Sequence, residues 1–239
     1  MAMSGNTRGF LSSAAAEAVE VGLGDAAYGI AIDQYGNAQV AYYGRDNVSF
    51  IVPEGQTVIT PDSIAILKNP PHPEMARHFV EFVLSRAGQL LWILPKGAPG
   101  GAVRDNINRM SVWPALYDEF ARTTPVRTNP FKLRSDLVYS NALGSKRRAI
   151  LSAILAAWMI DTHDQLAKAW RAANTSKLPP SDRDALLAQL VAPPCSEPEL
   201  LHLADTDWRD PIKRTALVNR WQAEALDRYK TVLAQIPRN

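Results

Sequence analysis

The sequence predicts an α/β front half followed by a mostly helical C-terminal region. Three observations carry this. Short apolar runs bounded by turn residues alternate with helical patterns up to about residue 110. Strand signals fade beyond that point, and helical patterns broken by proline pairs fill the rest of the chain. The expected organisation is therefore an α/β lobe of about three strands over residues 1–110 and a helical region over 111–239.

Each element has a local reason. Ser12 and Ser13 stand before the Ala-rich run 14–21, where a hydroxyl can cap the open N–H groups of a first turn, and Glu17 suits the dipole there. Gly22 and Gly24 stop that helix. The apolar run Ala26–Ile32 reads as a buried strand that delivers Asp33, Gln34 and Tyr35 to a loop. A short helix over 37–43 ends at Gly44. Val48–Val52 and Ser63–Leu67 read as two further strands, joined by the turn-rich connection 53–62. Pro73 and Glu74 open a strongly amphipathic helix with Met75, Phe79, Val80, Phe82 and Val83 on its apolar side. The segment 96–102 is loose. Helical patterns then run over 145–173, 181–191 and 211–236, with breaks at Pro179-Pro180 and Pro193-Pro194.

Composition excludes several classes of function. With 26 Lys+Arg against 24 Asp+Glu, the net charge of +2 on 239 residues argues against nucleic acid as a partner. Cys195 is the single cysteine, which excludes an internal disulfide framework and Cys-rich metal centres. The first twenty residues hold no apolar core of a signal peptide. The most apolar stretch, 149–160, falls short of the roughly 20 residues a bilayer requires, so it reads as a core helix and not as a membrane insertion.

Catalytic patterns are sparse. No phosphate-cradling Gly-x-x-x-x-Gly-Lys and no Gly-x-Gly-x-x-Gly is present, and Ser85 lacks a Gly-x-Ser-x-Gly elbow. His72, His78, His163 and His202 are scattered without zinc spacing. Asp161-Thr162-His163-Asp164 ends an apolar helical run, where a polar turn is expected anyway. Trp158, Trp170, Trp208 and Trp221 fall on helical patterns and read as core. No cofactor and no catalysis are expected. Two alternatives stay open: a small hydrolase using Asp161, His163 and a serine, and a helical interaction module over 145–236.

Two stretches carry a family likeness. Gly9-Phe10-Leu11-Ser12-Ser13 and the run from Gly24 to Gly36, which includes Tyr28-Gly29-Ile30-Ala31-Ile32-Asp33, resemble the second lobe of bacterial ABC-importer solute-binding proteins, in their ferric-iron-type branch. The run 62–89 is more diagnostic, ending in the helix with Phe82-Val83-Leu84-Ser85 and then Gly88-Gln89. The likeness covers about residues 5–117.

The resemblance implies a partial type II periplasmic-binding-protein lobe and a receptor that performs no chemistry. It implies a location in the periplasm or otherwise outside the cytoplasm, and a membrane permease as partner. The cargo it implies is ferric iron or another small anionic solute. Ligand-binding residues would be Ser12, Ser13, Asp33 and Tyr35, with Arg8 as an outlying cation. The chain departs from the family in two ways. It starts where the second lobe is already under way, so it reads as the back half of a longer receptor. The family's adjacent tyrosine pair is matched by Tyr35 and Gly36, which leaves one phenolate missing, while the true pair Tyr42-Tyr43 reads as packing.

Overall fold

The computed structural model describes residues 2–60 and 62–237. Met1, Pro61, Arg238 and Asn239, which belong to the expected ends and to the 53–62 connection, lie outside the described residues. The helices in chain order are α1 Ala2–Gly5, α2 Ala16–Leu23, α3 Asp33–Tyr43, α4 Pro73–Leu84, α5 Arg86–Ile93 and α6 Ala115–Glu119. They continue as α7 Asn141–Leu155, a π-helical turn Ala156–Ile160, α8 His163–Thr175, α9 Pro180–Val191, α10 Glu197–Asp205, a 3₁₀ turn Asp207–Arg209 and α11 Pro211–Ala234.

The expected α/β lobe is not what forms. Among the described residues there is no β-strand, and one isolated parallel bridge joins Gly55 to Ser135. The three runs read as strands, 26–32 (expected to be buried), 48–52 and 63–67, are irregular segments with much of their apolar surface in water: Tyr28 is 92% exposed, Ile51 76% and Leu67 81%. The physical reason is partnership. A helix closes its hydrogen bonds within its own segment, but a strand closes none of its own and needs neighbouring strands, which β-branched composition does not supply.

The chain divides into two compact units, Leu11–Val138 and a second formed by Met1–Phe10 with Tyr139–Asn239. In the first, α2 ends at Gly24, whose φ of +83° lets its N–H turn back onto the carbonyls of Glu20 and Val21. The helix runs through Gly22, so only the second of the two expected stop glycines ends it. α3 begins four residues earlier than expected, at Asp33, because the acidic side chain sits favourably in a first turn. Asp33 and Tyr35 therefore lie on a helix and not in a loop.

α4 has the bounds and amphipathicity the sequence predicts, yet none of its residues is buried; Phe79 is 60% exposed. The core of this unit forms around α5 and α6 instead, from Leu90, Ile93, Leu94 and Leu116, with Trp92, Ala98 and Phe120 packed against them.

The second unit is a helical assembly with its own core. Trp158, Leu166, Leu190, Trp221, Tyr229 and Val232 are fully or nearly fully buried in it. The expected single helix over 145–173 is two helices joined by the π-helical turn. Its wide ladder is marked by Asp161 N donating to the Ala156 carbonyl at 2.9 Å, and two neighbouring carbonyls take side-chain hydroxyls: Thr162 Oγ1 donates to Ala157 at 3.2 Å and the Tyr229 hydroxyl donates to Trp158. The Arg228 guanidinium sits 4.3 Å from the centroid of the Trp158 ring. α10 went unpredicted although Ser196-Glu197-Pro198-Glu199 carries its signature. The Ser196 hydroxyl accepts from Glu199 N while the Glu199 carboxylate accepts from Ser196 N, a reciprocal capping box.

Candidate functional site

The motif Leu84-Ser85-Arg86-Ala87-Gly88-Gln89 is a structural joint. Ser85 caps α5, its Oγ accepting from Gly88 N at 3.1 Å. A Cβ at Gly88 would lie 2.1 Å from the carbonyl oxygen of Phe82, so α4 and α5 meet this closely only because that position is glycine. Gln89 is buried and serves two sides: its Nε2 donates to the Val83 carbonyl at 2.8 Å, and its Oε1 accepts from Ser111 Oγ and Val112 N, each at 2.9 Å. The Tyr117 hydroxyl completes the network, accepting from Ser111 N at 2.6 Å and donating to the Ser111 carbonyl at 2.8 Å. Burial pushes the Tyr117 phenol up to about 12; the Ser111 backbone bond opposes the rise and the Asp33 carboxylate adds to it.

The residues singled out from sequence fall in different places. Asp33 and Tyr35 occupy the first turn of α3, both half-buried, and Tyr35 N donates to the Ile32 carbonyl at 3.0 Å. Ser12 and Ser13 are exposed and do not cap α2, whose N-cap is Ala15. Instead Ala15 N donates to Ser13 Oγ at 3.4 Å in a local turn, because the chain begins its helix at Ala16. Arg8 belongs to the other unit and is exposed.

Tyr43 packs against α2, where a Cβ on Gly22 would come within 2.4 Å of its ring, and it meets Tyr42 edge-on with ring centroids 4.8 Å apart. Gly36, where the expected ferric-type pattern would put a second tyrosine, is equally constrained: a Cβ there would lie 2.2 Å from Phe50 Cδ2, so a tyrosine could stand there only if Phe50 left. Among the described residues no group of three or more His, Cys, Asp and Glu gathers as a metal site.

The motif 161–164 does not assemble a catalytic dyad. His163 lies with Nε2 3.2 Å from the Ser4 carbonyl, and its ring meets Phe10 edge-on at 5.2 Å. A general base for a serine would have to face a hydroxyl instead.

Behind α3 lies a cavity of about 130 Å³ that sequence reasoning did not anticipate. Val40, Val48 and Phe50 wall it, and Asn37, Arg45, Ser49, Arg127 and Thr128 supply its polar lining. Arg45 donates from Nη2 to the Pro125 carbonyl at 2.8 Å, and Arg127 donates from Nη1 to the Ala121 carbonyl. Asn37 is only 4% exposed, and its Nδ2 has no hydrogen-bond partner among the described residues. No local spacing signals this group, since Arg127 reaches it from a distant loop. Gly36 was its nearest legible clue, because the missing side chain admits Phe50 as a wall.

No helix among the described residues is long and apolar enough to cross a membrane. No curated protein and no solved structure matches the chain. Residues 5–114, which include α2 to α5 and all of the 62–89 motif, match the family model described as bacterial extracellular solute-binding protein.

Proposed function

We propose that this chain is the solute-binding receptor component of an ABC importer, working outside the cytoplasm and handing a small solute to a membrane permease. The match over residues 5–114 carries the reading. Most of the matched residues lie in the unit that also holds the cavity beside α3, although none of the residues we assign to ligand contact lines that cavity. The role is binding without catalysis, consistent with the arrangement around His163. Asp33 and Tyr35 on α3, with Ser12 and Ser13 ahead of α2, are the residues we assign to ligand contact; Arg8 is the outlying member of the set. Ferric iron as cargo draws on the phenolates of Tyr35, Tyr42 and Tyr43, but the packing of Tyr43 against Gly22 assigns that ring to holding α2 and α3 together.

The test is a thermal-shift panel of carboxylates, phosphate esters, ferric citrate, sugars and polyamines against the purified chain. At least one solute is expected to raise Tm, and Asp33→Ala or Tyr35→Ala to reduce that rise while leaving the ligand-free Tm within a few degrees. A flat panel opposes the receptor reading. An equal loss of stability without a binding defect would assign both side chains to the fold.

A further inference from the structure

We infer that the cavity behind α3 is a binding site for a small oxyanion, held by Asn37, Arg45 and Arg127. The inference goes beyond the receptor reading, since none of Ser12, Ser13, Asp33, Tyr35 and Arg8 lines this cavity. Three features of the cavity point the same way.

The first is sign. Two guanidinium groups line a space of about 130 Å³, and no carboxylate is among its lining residues. Each guanidinium carries five N–H donors and gives one of them to a backbone carbonyl, Pro125 for Arg45 and Ala121 for Arg127. Those bonds fix the heads in place and leave further donors for an anion.

The second is the unpartnered amide. Asn37 is buried, and its Nδ2 has no partner among the described residues. A buried donor without an acceptor costs on the order of 1–3 kcal/mol, so natural folds seldom leave one unless something supplies the acceptor. The Asn37 amide is closed off from water, so it would turn toward the cavity for an oxyanion to supply that acceptor.

The third is construction. Asn37 stands on α3, Arg45 in the turn that follows it and Arg127 on a loop near the end of the unit. Gly36 lets Phe50 close over α3 as an apolar wall. Charge-assisted hydrogen bonds gain strength where one side of a site excludes water, and planar guanidinium heads suit phosphate and carboxylate oxygens in particular. The chemistry shared by these ligands is a compact anion with several acceptor oxygens.

The experiment is isothermal titration calorimetry of the full chain with inorganic phosphate, sulfate and acetate in separate arms, in a chloride buffer. Phosphate and sulfate binding without acetate would identify a tetrahedral anion; acetate binding without them would identify a carboxylate. Arg45→Gln and Arg127→Gln are each expected to weaken the bound anion about tenfold or more. Asn37→Asp, which replaces the donor by an acceptor of the same shape, is expected to abolish binding. Arg148→Gln in the other unit should change nothing. Because Arg45 and Arg127 are exposed, their glutamine variants keep the fold even if Asn37→Asp does not.

Binding of none of the three anions overturns the inference, as does binding that all the cavity variants leave intact. The receptor reading fails separately, on the broader solute panel: a neutral or cationic solute that binds while all three anions do not would sink the oxyanion site and leave the receptor standing.

Discussion

The side-chain amide of Gln89 holds the hydroxyl of Ser111 at 2.9 Å, and through it three segments of the first unit meet in one buried network. Val83 at the end of α4, Val112 in the loop and the Ser111–Tyr117 pair all depend on that amide. Gln89→Leu would take the acceptor from the Ser111 hydroxyl proton and from Val112 N–H and the side-chain donor from the Val83 carbonyl, while Ser111 Oγ keeps its bond from Trp113 N. The substitution is expected to cost about 2–4 kcal/mol in urea unfolding. Gln89→Glu keeps the acceptor oxygens but buries a carboxylate against the Val83 carbonyl, so a loss at least as large is expected at neutral pH, easing in acid where the protonated carboxyl can donate. Faster amide exchange at Val112 in the leucine variant would locate the damage; unchanged protection there would disprove the network's role.

Gly88→Ala tests the joint between α4 and α5 from the other side. The new Cβ would sit 2.1 Å from a backbone oxygen, which cannot rotate away as a side chain could. A loss of about 3 kcal/mol or more is expected in the same unfolding measurement. A change below about 1 kcal/mol would mean that the two helices do not approach this closely.

Alkaline pH should weaken both units. Burial raises the phenols of Tyr117 and Tyr229 from 10.0 to about 12 in the folded chain. The unfolded state therefore loses its protons first. Their contribution is complete below pH 10 and disappears as pH rises toward about 12. Tyr229→Phe removes the second unit's share of this alkaline dependence and, by leaving the Trp158 carbonyl without its hydroxyl, costs about 1–2 kcal/mol at neutral pH. Denaturant titrations at a series of pH values would show both effects, and a Tyr229→Phe curve parallel to the wild type at every pH would refute the first.

The bare side of α4 makes a prediction of the opposite kind. Met75 is 69% exposed and Phe82 47%, so Phe79→Ser with Phe82→Ser should change stability by no more than about 1 kcal/mol while lowering the fluorescence of a bound apolar dye. A loss of several kcal/mol would show those rings to be packed.

Much of the helical organisation was legible. The bounds of α4 follow from Pro73 and the apolar spacing after it, α11 starts at Pro211 as expected, and α9 follows from the pattern over 181–191, with Pro180, read as part of a break, as its first residue. α10 could have been read from Ser196 and Glu199. These signals are local because helix caps, dipoles and periodicity act within one or two turns of chain. The candidate site was less legible. The family likeness singles out Asp33 and Tyr35, but the sequence placed them in a loop at a strand end where the first turn of α3 forms, and Ser12 and Ser13 at a helix cap they do not form.

What the sequence determined by itself is therefore where the more strongly patterned helices lie, α4, α9 and α11 above all, and that α4 carries an apolar side. The tertiary structure decided the remainder. It left the runs ending at Ile32, Val52 and Leu67 without strand partners and put the apolar side of α4 in water. It also brought Arg127 to the same cavity as Asn37 and Arg45. Pairing, burial and convergence all depend on residues far apart along the chain. Their free energy appears only once a neighbour has arrived, and no local pattern of residue types encodes that arrival.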